Sequence, residues 1–304
     1  MDLAGRRRGL GFAACALASC FWGCGFFFGK IALAEMAPPF MVLYRFLFAI
    51  VVLLPLLWTH RPGLSRRDWG WLALASLLGV PVQFLIQFQG LALTTVSHAS
   101  LMVGMMPVIL AVGATVFAHE RMDGVGWAAL ATSTTGAALI ALSGRGGGVA
   151  GGALTGDLMV VLSLVIALFW ILLNKRLMER HNHVVVTVYG LLLGTVMLAV
   201  WVPLRYGVPP IAGVSWRAWA ALLASGVLCT ATTTLLWNWG MTQVPASQAG
   251  VLLNMEPLIG SLLGVLVLKE LLGPMAWVGG AMILAAAVTL TTRGQSRHTA
   301  EADA

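Results

Sequence analysis

Glu256 is the residue whose type and position most clearly point to chemistry. It is a carboxylate about nine residues into an apolar run that begins near Ser247. A charge at the centre of an apolar helix costs about 2.5 to 3.5 kcal/mol on membrane-insertion scales, so such groups face a cavity or a partner. Glu256 could contact a substrate amine or carry a coupling proton. It could equally bond to backbone freed by Pro257, which has no N–H for the carbonyl of Leu253. Asn254, two residues earlier, sits about 200° around the helix, so the two cannot both point squarely into one cavity. Gln83 and Gln87, four apart beyond Pro81, make a polar stripe suited either to a wet cavity or to interhelical hydrogen bonds. Trp22, Trp170 and Trp237 lie deep in apolar runs, where a ring can pack a core or line a site. Asn174 and Asn238 stand toward the ends of their runs, as vestibule or cap residues. Lys30 and Arg45 lie just inside apolar runs, with Glu35 between them. Snorkelling is the default for such cations, and gating or attraction of carboxylates is the functional alternative.

Other chemistries lack their parts. Cys15, Cys20, Cys24 and Cys229 form no CxxC pair and join no Cys/His cluster of metal spacing, so they read as reduced packing residues. The six histidines are scattered, and no HExxH, GxSxG or Walker loop occurs, which disfavours an integral membrane enzyme and an ATP-driven pump and implies no cofactor or metal.

The elements that must position these residues are membrane helices. Of 304 residues, 59% are hydrophobic and 10% charged, against about a quarter charged in soluble domains. The apolar surplus falls in blocks near the ~20 residues that cross a bilayer. Ten helices are expected: 10–33, 40–58, 69–91, 96–118 and 125–142, then 158–177, 184–204, 216–241, 247–268 and 275–291. The run from 10 to 33 follows Arg6, Arg7 and Arg8 and is read as a retained first helix, not a cleaved signal. A glycine-rich linker, 144–156, separates a first five-helix unit, 1–143, from a second, 157–292. A polar tail, 293–304, is expected to be disordered. With both termini in the cytoplasm, cytoplasmic segments hold twelve Lys and Arg and outer segments four (Arg145, Arg205, Arg217, Lys269). The net charge of +7 is thus a topology signal in an inner membrane, not a sign of nucleic-acid binding.

The halves repeat. Shifting the chain by 150 residues lays Gly90, Ser97, Ala99, Met105, Pro107, Ile109 and Glu120 on Gly240, Ser247, Ala249, Met255, Pro257, Ile259 and Glu270. Those seven identities in 31 positions exceed the roughly three expected by chance in so biased a composition. Glu256 falls on Met106, so the repeat differs there. Five helices per half require the second to enter from the opposite face, giving a 5+5 inverted-topology repeat, an arrangement of secondary transporters. Pro107 and Pro257 are the expected helix breaks. Gly25/Gly29, Gly190/Gly194 and Gly260/Gly264 allow close helix approach, within the chain or at a homodimer seam.

Phe21-Trp22-Gly23, Gly29-Lys30, Tyr44-Arg45-Phe46 and the paired Pro-x(12)-Glu patterns, Pro107 to Glu120 and Pro257 to Glu270, resemble the drug/metabolite transporter superfamily in its EamA-type ten-helix branch. The resemblance spans nearly the whole chain. It implies a 5+5 inverted repeat and, commonly, export of amino acids or other small metabolites by alternating access. The expected partners are a small-molecule substrate and the lipid bilayer, with Glu256 raising proton coupling. A channel or a sensory or scaffold protein is the alternative, ahead of an enzyme.

Overall fold

The computed structural model describes residues 3–106, 108–109, 112–113, 124–143, 150–243 and 252–302. Among them, the helices in chain order are α1 (Leu3–Leu33), α2 (Pro38–Thr59), α3 (Arg66–Leu93), α4 (Val96–Val103), α5 (Gly124–Ser143), α6 (Ala150–Met178), α7 (His183–Tyr206), α8 (Trp216–Met241), α9 (Met255–Leu266) and α10 (Pro274–Ala302). Six contain segments long and apolar enough to cross a membrane: α1, α2, α3, α6, α7 and α8. Their outward faces carry bare apolar side chains such as Val51, Leu162 and Trp201. Such a surface is stable only in lipid, and a chain with this many apolar helices is a multi-pass membrane protein.

Helix starts follow local chemistry. Ser65, Thr95, Asn182 and Ser215 cap α3, α4, α7 and α8, accepting hydrogen bonds from Asp68, His98, Val184 and Ala218 amides, which satisfies otherwise orphaned donors. Pro38 and Pro39 open α2, where a missing N–H costs nothing.

Hydrogen bonds sort the connections to two ends. At one, Glu35 accepts from Ser215, Tyr44 donates to the Pro210 carbonyl, and Glu270 accepts from the start of α4. At the other, Tyr189 donates to the His60 carbonyl and Asp68 pairs with His181 at 3.1 Å. We call these the Glu35 end and the Asp68 end. α3 therefore starts at the Asp68 end and its counterpart α8 at the Glu35 end. Packing partners exchange in the same sense: α1 lies on α8 as α6 lies on α3, α2 touches α8 as α7 touches α3, and α2–α7, α4–α9 and α5–α10 pair directly.

The repeat also shows in two backbone irregularities. α3 and α8 each widen into a π-helical turn, at Leu78–Val82 and Val227–Thr232. Pro81 interrupts the first; the second holds no proline. There the Thr230 and Thr233 hydroxyls donate to carbonyls five residues back, Ser225 and Leu228, the wider spacing of a π-turn. α4 ends in a tight turn at Gly104, and α9 is preceded by one at Asn254. In both, amides reach carbonyls three residues back, including Glu256 N to Leu253 O at 3.1 Å. The Leu253 carbonyl that Pro257 cannot serve is taken by the Glu256 amide instead. Pro107 lies outside the described residues.

Several boundaries differ from expectation. α1 already begins at Leu3, α4 ends at Val103 and not at 118, and α9 begins at Met255 and not at 247, the last two at the tight turns before Pro107 and Pro257. α6 begins at Ala150, inside the glycine-rich linker, and α10 continues to Ala302, past the start of the expected tail at Arg293. Polarity alone does not stop a helix, and Gln295, Arg297, Ala300 and Glu301 are all compatible with one. The glycine pairs are used within the chain. A Cβ on Gly260 would meet Ser100, on Gly194 Val80, and on Gly29 Phe88.

Candidate functional site

Arg45 does not snorkel. It is 3% exposed, held where α2 crosses the π-turn of α8. Its Nε donates to Thr230 Oγ1 at 2.7 Å and its Nη2 to the Cys229 carbonyl at 3.0 Å. Its guanidinium carbon lies 4.9 and 5.1 Å from the Phe84 and Phe88 ring centroids on α3. The aromatic faces and the carbonyl stand in for lost water. Two of five N–H donors are bound to the protein, and Nη1 faces Gly25 of α1, where a Cβ would stand 3.7 Å away.

Glu256 faces the same interior from α9. A Cβ on Gly23 would lie 2.6 Å from its carbonyl oxygen, so the backbones of α1 and α9 touch at this level. Its side chain is half-buried by area yet densely surrounded by protein, as expected of a group facing an internal space. Among the described residues it makes no ion pair within bonding distance, although it is close enough to Arg45 for the two charges to attract. The interior thus holds a guanidinium and a carboxyl group, not joined, with α1 glycines against both helices. Trp22, beside Gly23, packs on Trp237 of α8 with ring centroids 5.3 Å apart.

Trp170, Asn174 and Asn238 line one narrow cavity between α3, α6, α7 and α8, together with Ser76, Thr187 and Thr234. Asn238 Nδ2 donates to Thr187 Oγ1. Trp170 fills the space above Gly79 in the π-turn of α3, which has no room for a Cβ. Gln83 and Gln87 are both buried. Gln83 Oε1 has no hydrogen-bond donor among the described residues. Lys30 stands apart at the Glu35 end, donating to the Leu91 and Thr94 carbonyls at 2.8 and 2.5 Å.

The sequence anticipated Glu256, Arg45 and the tryptophans singly. It did not anticipate Thr230, the Cys229 carbonyl, Phe84 and Phe88 as the lining of Arg45. Only the alignment of α8 with α3 under the 150-residue shift could have drawn attention to Cys229 and Thr230, through their match to Gly79 and Val80.

The EamA-like transporter family matches this chain twice, over residues 9–142 and 154–292. The chain belongs to that family. It is 26% identical over 283 residues to an uncharacterized transporter of Archaeoglobus fulgidus, covering 92% of this chain and 96% of the other. It is 25% identical over 235 residues to a "Probable terminal-alkyne amino-acid exporter" of Streptantibioticus cattleyicolor, covering 76% of each. It is also 25% identical over 279 residues to the biotin transporter of Escherichia coli K12, covering 90% of each. The family and these relatives are transporters by name. In this EamA-like transporter Arg45 and Glu256 lie where α1 and α9 meet α2, α3 and α8, and the cavity lies between α3, α6, α7 and α8.

Proposed function

We propose that this EamA-like transporter is a secondary carrier of a small zwitterion, an amino acid or a close relative, exported across the cytoplasmic membrane by alternating access. The observation that carries the reading is the buried guanidinium of Arg45 and the half-buried carboxyl of Glu256, which share one interior and are not bonded to each other. A fixed cation and a fixed anion in one interior are costly unless a ligand completes them. An α-carboxylate suits the free donors of a planar guanidinium, and an α-ammonium suits Glu256. Gly25 leaves space beside the guanidinium, and the Trp22–Trp237 pair offers an apolar wall. The relative named as an amino-acid exporter supports this substrate class.

In this reading the halves form a 5+5 inverted repeat with both termini cytoplasmic, and rocking of the halves exposes the site to each side in turn. Lys30, Glu270 and the Glu35–Ser215 bonds close the Glu35 end. The cavity at Trp170, Asn174 and Asn238, with Gln83 and Gln87 nearby on α3, forms the path toward the Asp68 end. The breaks before Pro107 and Pro257 let α4 and α9 bend.

The test is counterflow into proteoliposomes with labelled amino acids, the matching decarboxylated amines, sugars and biotin. Saturable uptake of amino acids, abolished in Glu256→Gln, is expected. Saturable uptake of biotin or sugar without amino-acid uptake would reject the zwitterion reading. Flux that never saturates would reject a carrier in favour of a channel.

A further inference from the structure

A second cavity opens at the Asp68 end, between the start of α3 and the end of α6. It is lined by Arg67, Asp68 and Trp71 of α3 and by Leu173 and Arg176 of α6, with Arg180 just past the end of that helix. Its volume is about 90 Å³, against about 20 Å³ for the cavity at Trp170. One water needs about 10–15 Å³, so a phosphate group has room. The lining converges because of helical spacing. Arg67, Trp71 and Leu74 share one face of α3, and Phe169, Leu173 and Arg176 share one face of α6, each at i, i+4 and i+7. The two helices pack against each other, and they come from the two different regions that match the family.

The lining carries three guanidinium groups and one carboxylate. Asp68 is already engaged: its Oδ2 accepts from the Ser65 hydroxyl at 2.7 Å and lies 3.1 Å from His181 Nε2. Among the described residues, none of the three guanidinium groups makes a hydrogen bond, an ion pair or a ring contact. Arg66, Lys175 and Glu179 flank the cavity without lining it. With them included, residues 65–68 and 175–181 hold five Lys and Arg against Asp68 and Glu179, and His181 can only add positive charge. Membrane orientation calls for cations near a span, but not for their convergence on one cavity from two helices. Like charges around one cavity repel, and an anion between them removes that repulsion. One turn deeper, Leu74 and Phe169 continue the two faces into the apolar spans, 39% and 38% exposed, where lipid chains cover them. Trp71, 40% exposed, stands at the boundary, as interfacial tryptophans do. A molecule with an anionic head and apolar chains meets both parts of this surface, and a free anion meets only the first.

We propose that this cavity binds the headgroup of an anionic phospholipid, with Arg67, Arg176 and Arg180 donating to its phosphate and its acyl chains lying over Trp71, Leu74 and Phe169. The paired N–H donors of a guanidinium match phosphate oxygens, and basic pockets between membrane helices hold anionic headgroups in this way. The lining's one carboxylate is held by Ser65 and His181, so a zwitterionic head finds no partner for its ammonium. The bound lipid ties the start of α3 to the end of α6. The inference uses neither Arg45 nor Glu256 and stands apart from the substrate reading.

Native mass spectrometry tests this on the full chain in detergent micelles, titrated with phosphatidylglycerol or with phosphatidylcholine of the same acyl chains. Phosphatidylglycerol is expected to bind the wild type about 30-fold more tightly, about fivefold for each of the two net positive charges of the lining. Arg67→Gln/Arg176→Gln is expected to bring the two lipids within about threefold of each other, because it removes that net charge. Arg66→Gln/Lys175→Gln removes the same charge beside the cavity and is expected to keep a preference of at least about tenfold. Inorganic phosphate at millimolar concentration is expected to leave phosphatidylglycerol bound. Equal binding of the two lipids by the wild type overturns the proposal, even if no variant folds. A preference that survives Arg67→Gln/Arg176→Gln also overturns it, and equal loss in both double variants does so by showing diffuse attraction to a basic surface. Displacement by inorganic phosphate assigns the cavity to a soluble anion instead and overturns the lipid.

Discussion

Arg45→Gln separates a structural arginine from one that reads substrate. The replacement removes the charge but keeps an amide donor for Thr230 Oγ1 or the Cys229 carbonyl. The π-turn keeps its own bond from the Thr230 hydroxyl to Ser225 O at 3.0 Å. The two protein bonds partly lost are worth about 0.6 kcal/mol each, the average inside membranes, and the cation–π contacts about 2 kcal/mol. Removing a buried charge also removes its burial cost, so the net loss of stability is expected to stay under about 2 kcal/mol. The effect on a bound carboxylate is larger. A hydrogen bond to a charged partner contributes about 1.5 to 3 kcal/mol, roughly 10- to 150-fold in apparent affinity. Counterflow saturation curves for an amino acid and for its decarboxylated amine make the comparison. Arg45→Gln is expected to weaken the amino acid by that factor and leave the amine within about threefold, outside the range of even one such bond. Equal weakening of both, or none, would refute the reasoning, and a collapsed thermal midpoint would return Arg45 to a structural role.

Two further perturbations follow from packing and charge at single positions. Gly23→Ala puts a Cβ 2.6 Å from the Glu256 carbonyl oxygen and 3.0 Å from the Ile259 Cβ, so α1 and α9 must separate. A loss of about 1–3 kcal/mol is expected in thermal unfolding, whereas Gly25→Ala, whose nearest neighbour is Cys229 Cβ at 3.5 Å, is expected to stay near wild type. The Ser215 hydroxyl and amide hold the Glu35 carboxyl below its usual range. Their contribution is therefore complete above about pH 4.3, the ordinary glutamate value, and is lost as pH falls through the lowered folded value. Exchange of the Ser215 amide is expected to quicken on acidification through that range, and Glu35→Gln to remove the dependence.

Much of this protein was legible in its composition and spacing. Apolar blocks of bilayer length announce helices because lipid offers their backbones no hydrogen bonds, and the structure's apolar helices lie in those blocks. The 150-residue shift paired Pro107 with Pro257 as expected breaks, and matched tight turns stand just before them at Gly104 and Asn254. Pro257 announced a break because it lacks a donor. Glu256 announced itself because an ionisable group in an apolar run is rare and costly. Other features left no such trace. The π-turn of α8 has no proline to mark it; it depends on Thr230 and Thr233 reaching back five residues and on Arg45 arriving from α2. Asp157, at the edge of a glycine-rich stretch, gave no signal of its own in the sequence. Its carboxyl is buried because α6 begins earlier and lies against Thr94 and His98, some sixty residues away. Arg45 near the end of an apolar run read as a snorkelling cation, since sequence gives depth along one helix but not what surrounds it. The chain by itself determined which segments leave water, because transfer into lipid depends on local composition. Tertiary structure decided which polar groups meet inside, because that depends on how α2, α3, α6 and α8 pack across the two halves, and no spacing along one helix encodes it.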